Sequence, residues 1–238
     1  MKNRIWELDV FRGVCILGMV VVHAVYDITE LYRLAQWNLP EAFLFVQQWG
    51  GILFLLLSGI CATLGRRSVR RGIAVFCCGL LVNAVTAGMY LLDFAGKEIL
   101  IYFGVLHCLG LCMILWPLFK KLPWPALAVL GAVFVGLGFW FFRLPPVTCK
   151  LLMPLGLPWS GFQSSDYFPV FPYLGFFLLG AVLGKTLYRK QKTLFPRVRE
   201  DAPVLRFFRM CGKYSLQIYL LHQPVLSGIF FLVSLLKP

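Results

Sequence analysis

Seven runs of roughly 20 apolar residues fill most of this chain, at about 9–28, 42–64, 72–92, 98–118, 124–142, 168–187 and 214–236. A helix rises about 1.5 Å per residue, so each run is long enough to cross a hydrocarbon layer about 30 Å thick. Only 14% of the residues are charged against 60% hydrophobic, and the mean hydropathy is +0.79. A soluble domain carries about 25% charge. The fold class is therefore all-α: one polytopic membrane bundle of about seven helices, forming a single domain over 1–238.

The net charge of +13 raises the possibility of nucleic acid. Its distribution excludes that, because the aromatics lie inside the apolar runs and the basic residues between them, with no stacking platform among the charges. The connectors divide into two alternating sets. One holds Lys2, Arg4, "RRSVRR" at 66–71, Lys120, Lys121 and nine basic residues in 185–213, a total of 17. The other holds Arg33, Lys97, Arg143, Lys150 and Lys237. The positive-inside rule then places the N-terminus in the cytoplasm and the C-terminus outside a multi-pass cell membrane. The first run is long and charged and lacks a small-residue cleavage site, unlike a signal peptide. The 143–169 segment, rich in Pro and Gly, is an outside loop, and 188–213 is a cytoplasmic linker with room for a short surface helix. No internal repeat is visible, which weakens an inverted-repeat transporter reading.

The first run, "LDVFRGVCILGMVVVHAVYD", carries Asp9, Arg12, His23 and Asp27. At about 100° per residue the two aspartates point the same way, and Arg12 and His23 fall within roughly 60° of them. Lipid penalises such groups, so this stripe faces the bundle interior. Asp9 and Arg12 are one turn apart and can pair, either for function or to fix helix packing. His23 and Asp27, four residues apart, suit a carboxylate orienting an imidazole. The chain has three histidines, His23, His107 and His222, and all lie inside apolar runs. Either each is a satisfied core histidine or all three line one polar chamber; the second is the expectation here. Gln223 and Pro224 follow His222, and the proline can kink that helix. No zinc spacing occurs and no metal is expected; Cys108 and Cys112 read as small core residues.

The stretches "RIWELDVFRGVCILGMVVVHAVYD", "IYFGVLH", "FPVFPYLGFFLLGAVLG" and "YSLQIYLLHQPVL" resemble the DUF1624 family, which is related to the catalytic domain of heparan-α-glucosaminide N-acetyltransferase within a wider transmembrane acyltransferase superfamily. The resemblance covers nearly the whole chain. It implies transfer of an acetyl group from cytosolic acetyl-CoA to an extracytoplasmic sugar amine or hydroxyl. In the lysosomal enzymes the catalytic histidine precedes a Trp-Asn pair resembling Trp37-Asn38; its ungapped position is Leu34 here, and His23 stands where those enzymes have an Asn. Bacterial-type members have a His-x-x-x-Asp, matched by His23 and Asp27.

On this reading His23 is the base, Asp27 orients it, and His107 or His222 supplies a second acid or an oxyanion donor. Arg12, Arg66, Arg67, Arg70 and Arg71 are candidates for the CoA phosphates, although they also serve topology. Ser58 and Gly59 permit close backbone approach, for a pantetheine arm or for helix packing. Asp9 and Gln223 support the site, and Trp37, Asn38 and Asp166, with Trp159 and Tyr167, are acceptor contacts. The partners are lipids, an acyl-CoA and a glycan or other small acceptor; a homodimer is left open. Two rival classes use the same residues: a proton-coupled transporter or flippase, and a structural subunit with a dry core.

Overall fold

The computed structural model describes residues 5–94, 96–198 and 200–236. Of the charges tallied above, Lys2, Arg4, Arg199 and Lys237 lie outside the described residues. The described chain is helical, without strands beyond an isolated bridge between Phe103 and Tyr167. Eight α-helices follow in order: α1 Trp6–Tyr26, α2 Glu41–Leu64, α3 Ser68–Leu91, α4 Val105–Phe119, α5 Trp124–Phe141, α6 Val170–Thr186, α7 Pro203–Lys213 and α8 Ser215–Leu235. Five helical stretches are long and apolar enough to cross a membrane: Trp6–Leu31, Glu41–Leu64, Ser68–Leu91, Trp124–Phe141 and Ser215–Leu235. The chain is thus a multi-pass membrane protein. Helices α4 and α6 are apolar but shorter.

The shortening of α4 departs from the expected run at 98–118. Residues 100–104 are extended rather than helical, and their backbone bonds go to a neighbouring segment. Ser165 N–H donates to Leu100 O at 3.0 Å, and Phe168 N–H to Phe103 O at 2.9 Å. Hydropathy does not separate such a stretch from helix, since "LIYFG" is as apolar as a span and β-branched and aromatic residues tolerate both states. Gly104 then starts α4.

The chain forms two compact units, residues 1–54 with 192–238, and residues 55–191. In the first, α7 packs against α1 with almost no gap. A Cβ on Gly13 would overlap the Phe208 carbonyl, and one on Gly212 would overlap the Asp9 carbonyl. Two glycines therefore let the two backbones touch, the device that holds helices together where lipid removes the hydrophobic driving force. Residues 194 and 195 are tied down as well: Leu194 N–H donates to Glu7 Oε1 at 2.8 Å, and the Phe195 ring meets Trp6.

In the second unit the pairs α3–α4 and α5–α6 carry most of the packing. Gly72 faces the Gly110 carbonyl, and Gly131 and Gly175 face one another in the same way. Leu127, Trp116, Phe177, Leu178, Cys108 and Cys112 fill the interior. All eight cysteines are free thiols. Gly59 meets the Phe177 carbonyl of α6, so the close approach expected at this position is made by a helix backbone. The neighbouring Ser58 is half-buried. Lys185 Nζ donates to the carbonyls of Lys120, at 2.8 Å, and Leu122, satisfying backbone acceptors just beyond the end of α4.

Candidate active site

The polar stripe on α1 exists as the sequence spacing predicts. Near its start, Arg12 Nη1 donates to Asp9 Oδ1 at 3.0 Å, with Asp9 buried and Arg12 half-buried. Near its far end the helix changes pitch. Residues Asp27–Leu31 form a π-helical turn, closed by Tyr32 N–H donating to Asp27 O at 2.8 Å. Single π turns inside α-helices cluster at functional sites. This one places Asp27 in the interior, only 1% exposed. Tyr32 anchors the turn to α8, its hydroxyl donating to Ser227 O at 3.1 Å and its ring meeting Phe230.

Four side chains from α1, the π turn and α8 form one connected chain. His222 Nε2 and His23 Nδ1 are 2.8 Å apart. His23 Nδ1 also lies 3.3 Å from Gln223 Oε1, and Gln223 Nε2 donates to both Asp27 oxygens at 3.0 Å. Asp27 was expected to touch His23 directly. Gln223 stands between them instead, because its amide can accept from one and donate to the other.

The network assigns the protons. His222 Nδ1 faces the Tyr219 carbonyl and must carry a hydrogen, since a carbonyl only accepts. In the neutral ring His222 Nε2 is then an acceptor, so His23 Nδ1 is the donor between the two imidazoles. Gln223 turns its Oε1 toward the same donor because its NH2 is held by the Asp27 carboxylate. His23 Nε2 is thereby left with its lone pair, and no described group is hydrogen-bonded to it. Pro224 sits inside α8 without ending it.

His23 and His222 belong to the first unit and His107 to the second. His107 is the third residue of α4, and its Nδ1 accepts the Gly104 N–H at 3.2 Å. The next donor, Val105 N–H, goes to Asp166 Oδ2 at 2.9 Å. Both side chains therefore satisfy the orphan donors at the helix start, and the Asp166 charge suits the positive end of the dipole. The His107 ring stacks on Phe103, meets the edge of Phe76 and lies flat on Gly79. Its Nε2 is buried without a hydrogen-bond partner.

The remaining candidates are spread over the surface. Trp37 and Asn38 are exposed in the coil after the π turn. Arg66 and Arg67 are exposed between α2 and α3, and Arg70 and Arg71 are exposed in the first turn of α3, with the Arg71 guanidinium folded over Gly65. Trp159 packs edge-on against Tyr102 and Phe162, with Lys150 Nζ 5.7 Å from its ring centre. Tyr167 donates to Met153 O at 2.7 Å, and burial pushes its phenol up, so it stays a donor. No three metal-ligating side chains cluster among the described residues.

Sequence reasoning missed Tyr32, Ser227 and the Tyr219 carbonyl. A tyrosine five residues after Asp27 was the available trace of the π turn; the carbonyl had none.

A model of the family described as "Heparan-alpha-glucosaminide N-acetyltransferase, catalytic" matches residues 4–224. That stretch contains both histidine groups. No curated protein and no solved structure gave a match. By the extent of that match, the chain belongs to the family of heparan-α-glucosaminide N-acetyltransferase catalytic domains.

Proposed function

We propose that this membrane acetyltransferase takes acetyl from cytosolic acetyl-CoA and delivers it to an amine or hydroxyl of an extracytoplasmic sugar, with His23 as general base. One observation carries the reading: His23 Nδ1 lies against His222 Nε2 and Gln223 Oε1, contacts that assign its proton to Nδ1 and leave the Nε2 lone pair uncommitted. As the acceptor nitrogen or oxygen attacks the acetyl carbonyl, Nε2 takes its proton. The C–S bond then breaks and CoA leaves as the thiolate, which can take that proton back from the imidazolium. The imidazolium keeps its Nδ1–H on His222 Nε2 and on Gln223, whose amide dipole is held in place by Asp27.

His107 is read as the cap of α4 rather than a second catalytic group. Acting as a base it would have to release the Gly104 N–H, and its other nitrogen is buried among aromatic rings. Arg12 and the four arginines at 66–71 remain the proposed contacts for the CoA phosphates, and Trp37, Asn38 and Asp166 for the acceptor. In this reading α4 and α6 complete seven crossings, with the N-terminus cytoplasmic and the C-terminus outside. The competing proton-wire reading needs a path beyond His222. Its Nδ1–H ends on the Tyr219 carbonyl, which cannot relay a proton, and this favours the transferase.

The test is acetyl transfer by the purified protein from labelled acetyl-CoA to glucosamine and to other amino sugars and hydroxyl acceptors. Labelled product is expected from wild type and not from His23→Ala. Undiminished transfer by the variant removes His23 as base, and proton-driven transport with no CoA release selects the transporter.

A further inference from the structure

Helix α7 has three faces; the fold covers one of them along its length and a second only at Cys211, near the end of the helix. Leu205, Phe208 and Gly212 point to one side, and the contacts with Gly13 and Asp9 settle that this side lies on α1. Arg206, Arg209 and Lys213 line a second side. Val204, Phe207 and Met210 line a third and are 65%, 49% and 54% exposed. The helix ends at Lys213 and α8 begins at Ser215, while its inner face touches the first turns of α1. Its C-terminal end therefore lies level with the start of two membrane spans.

We infer that α7 is a docking surface for anionic phospholipid of the leaflet where α1 and α8 begin. The apolar side enters the acyl boundary and the basic side takes the headgroup phosphates. A basic helix with an exposed apolar face adjoining its charges is the arrangement that lies in a membrane interface. Charge complementarity selects an anionic headgroup over a zwitterionic one. Arg209 is partly neutralised by Glu200, at 3.0 Å, so Arg206 and Lys213 carry most of the selectivity. Both are exposed.

The test uses the full chain in detergent, supplied with phosphatidylglycerol or with phosphatidylcholine of the same acyl chains. Native mass spectrometry counts retained lipid, and thermal unfolding reads stabilisation. Phosphatidylglycerol is expected to be retained preferentially and to raise the unfolding midpoint. Each cation near a bilayer surface contributes about fivefold to anionic-lipid binding, so R206Q/K213Q loses about 25-fold in that preference. R206K/K213R keeps it, which separates lost charge from lost fold. Equal retention of the two lipids overturns the inference, as does an unchanged preference in R206Q/K213Q. A soluble phosphate such as adenosine 3′,5′-bisphosphate that stabilises as strongly, through the same two residues, overturns it in favour of a nucleotide site.

Discussion

His23 and His107 both lie in apolar helices, yet they spend their ring nitrogens in opposite ways. His23 donates from Nδ1 to another side chain and leaves Nε2 uncommitted. His107 accepts a backbone N–H at Nδ1 and buries Nε2 against aromatic rings. On the proposed reading the first arrangement is a base awaiting a proton; the second is a helix cap. The identity of the Nδ1 partner distinguishes them: a side-chain acceptor leaves the second ring nitrogen free to act as a base, and a backbone donor uses up the lone pair.

The largest expected effect tests the first half of that contrast. His23→Ala removes the base, and turnover falls by about 10²–10⁴-fold, the usual contribution of a positioned general base. Single-turnover acetyl transfer on folded, monodisperse protein is the measurement. Because neutral imidazole does the work, wild-type kcat/KM falls about tenfold per pH unit on the acid side of the His23 titration. The alanine variant loses that limb. A variant that keeps both the rate and the pH limb would make His23 a structural residue like His107.

Next in size is Asp27→Asn. Gln223 then has no carboxylate to fix its amide. If the amide turns over, its NH2 faces the His23 Nδ1–H, donor against donor, and pushes the ring out of place against His222 Nε2. Turnover falls by roughly a hundredfold, the scale of a misoriented catalytic group. The His23 ring shifts, read by ¹⁵N NMR, report the displacement. Loss of rate with unchanged ring shifts would place Asp27 in contact with substrate instead.

The packing of the first unit is tested by Gly13→Leu. The new side chain meets the Phe208 carbonyl, which is backbone and cannot swing away. Overpacking of this kind costs about 1–3 kcal/mol, seen as a lower unfolding midpoint. Gly18→Leu is the control, since a Cβ there meets nothing within 4 Å.

How much of this was legible in the chain depends on the distance over which each contact acts. The Asp9–Arg12 pair and the common face of Asp9, Arg12, His23 and Asp27 follow from helical spacing and are visible in one short window. The His23–His222 contact joins residues 199 positions apart. Composition indicated that such groups need partners, but not which partner. Gln223 beside His222 reads as a supporting residue, yet its place between His23 and Asp27 depends on how α8 is rotated, which no local pattern encodes. The extended stretch at 100–104 was hidden because hydropathy reads burial and is blind to backbone state. The cap at His107 was readable in principle, since Gly104 with His107 three residues on has the spacing of a capping box. It was obscured because His107 was grouped with the other two histidines by its chemistry alone.

The smallest expected effect completes the comparison at His107. Asparagine places Oδ1 where the imidazole places Nδ1, so His107→Asn can still accept the Gly104 N–H. It loses the ring, and with it the stack on Phe103. Phenylalanine does the reverse, filling the aromatic slot while leaving that N–H without its acceptor. If His107 is a cap, His107→Phe loses about 1 kcal/mol of stability, the usual scale for a helix cap. His107→Asn loses packing instead, and both variants keep kcat near that of wild type once the folded fraction is counted. If His107 instead donates from Nε2 to a developing oxyanion, both variants lose about 10²–10³ in kcat at unchanged fold. Comparing kcat per folded molecule with the unfolding midpoint for the two variants therefore decides whether one histidine site or two do chemistry in this chain.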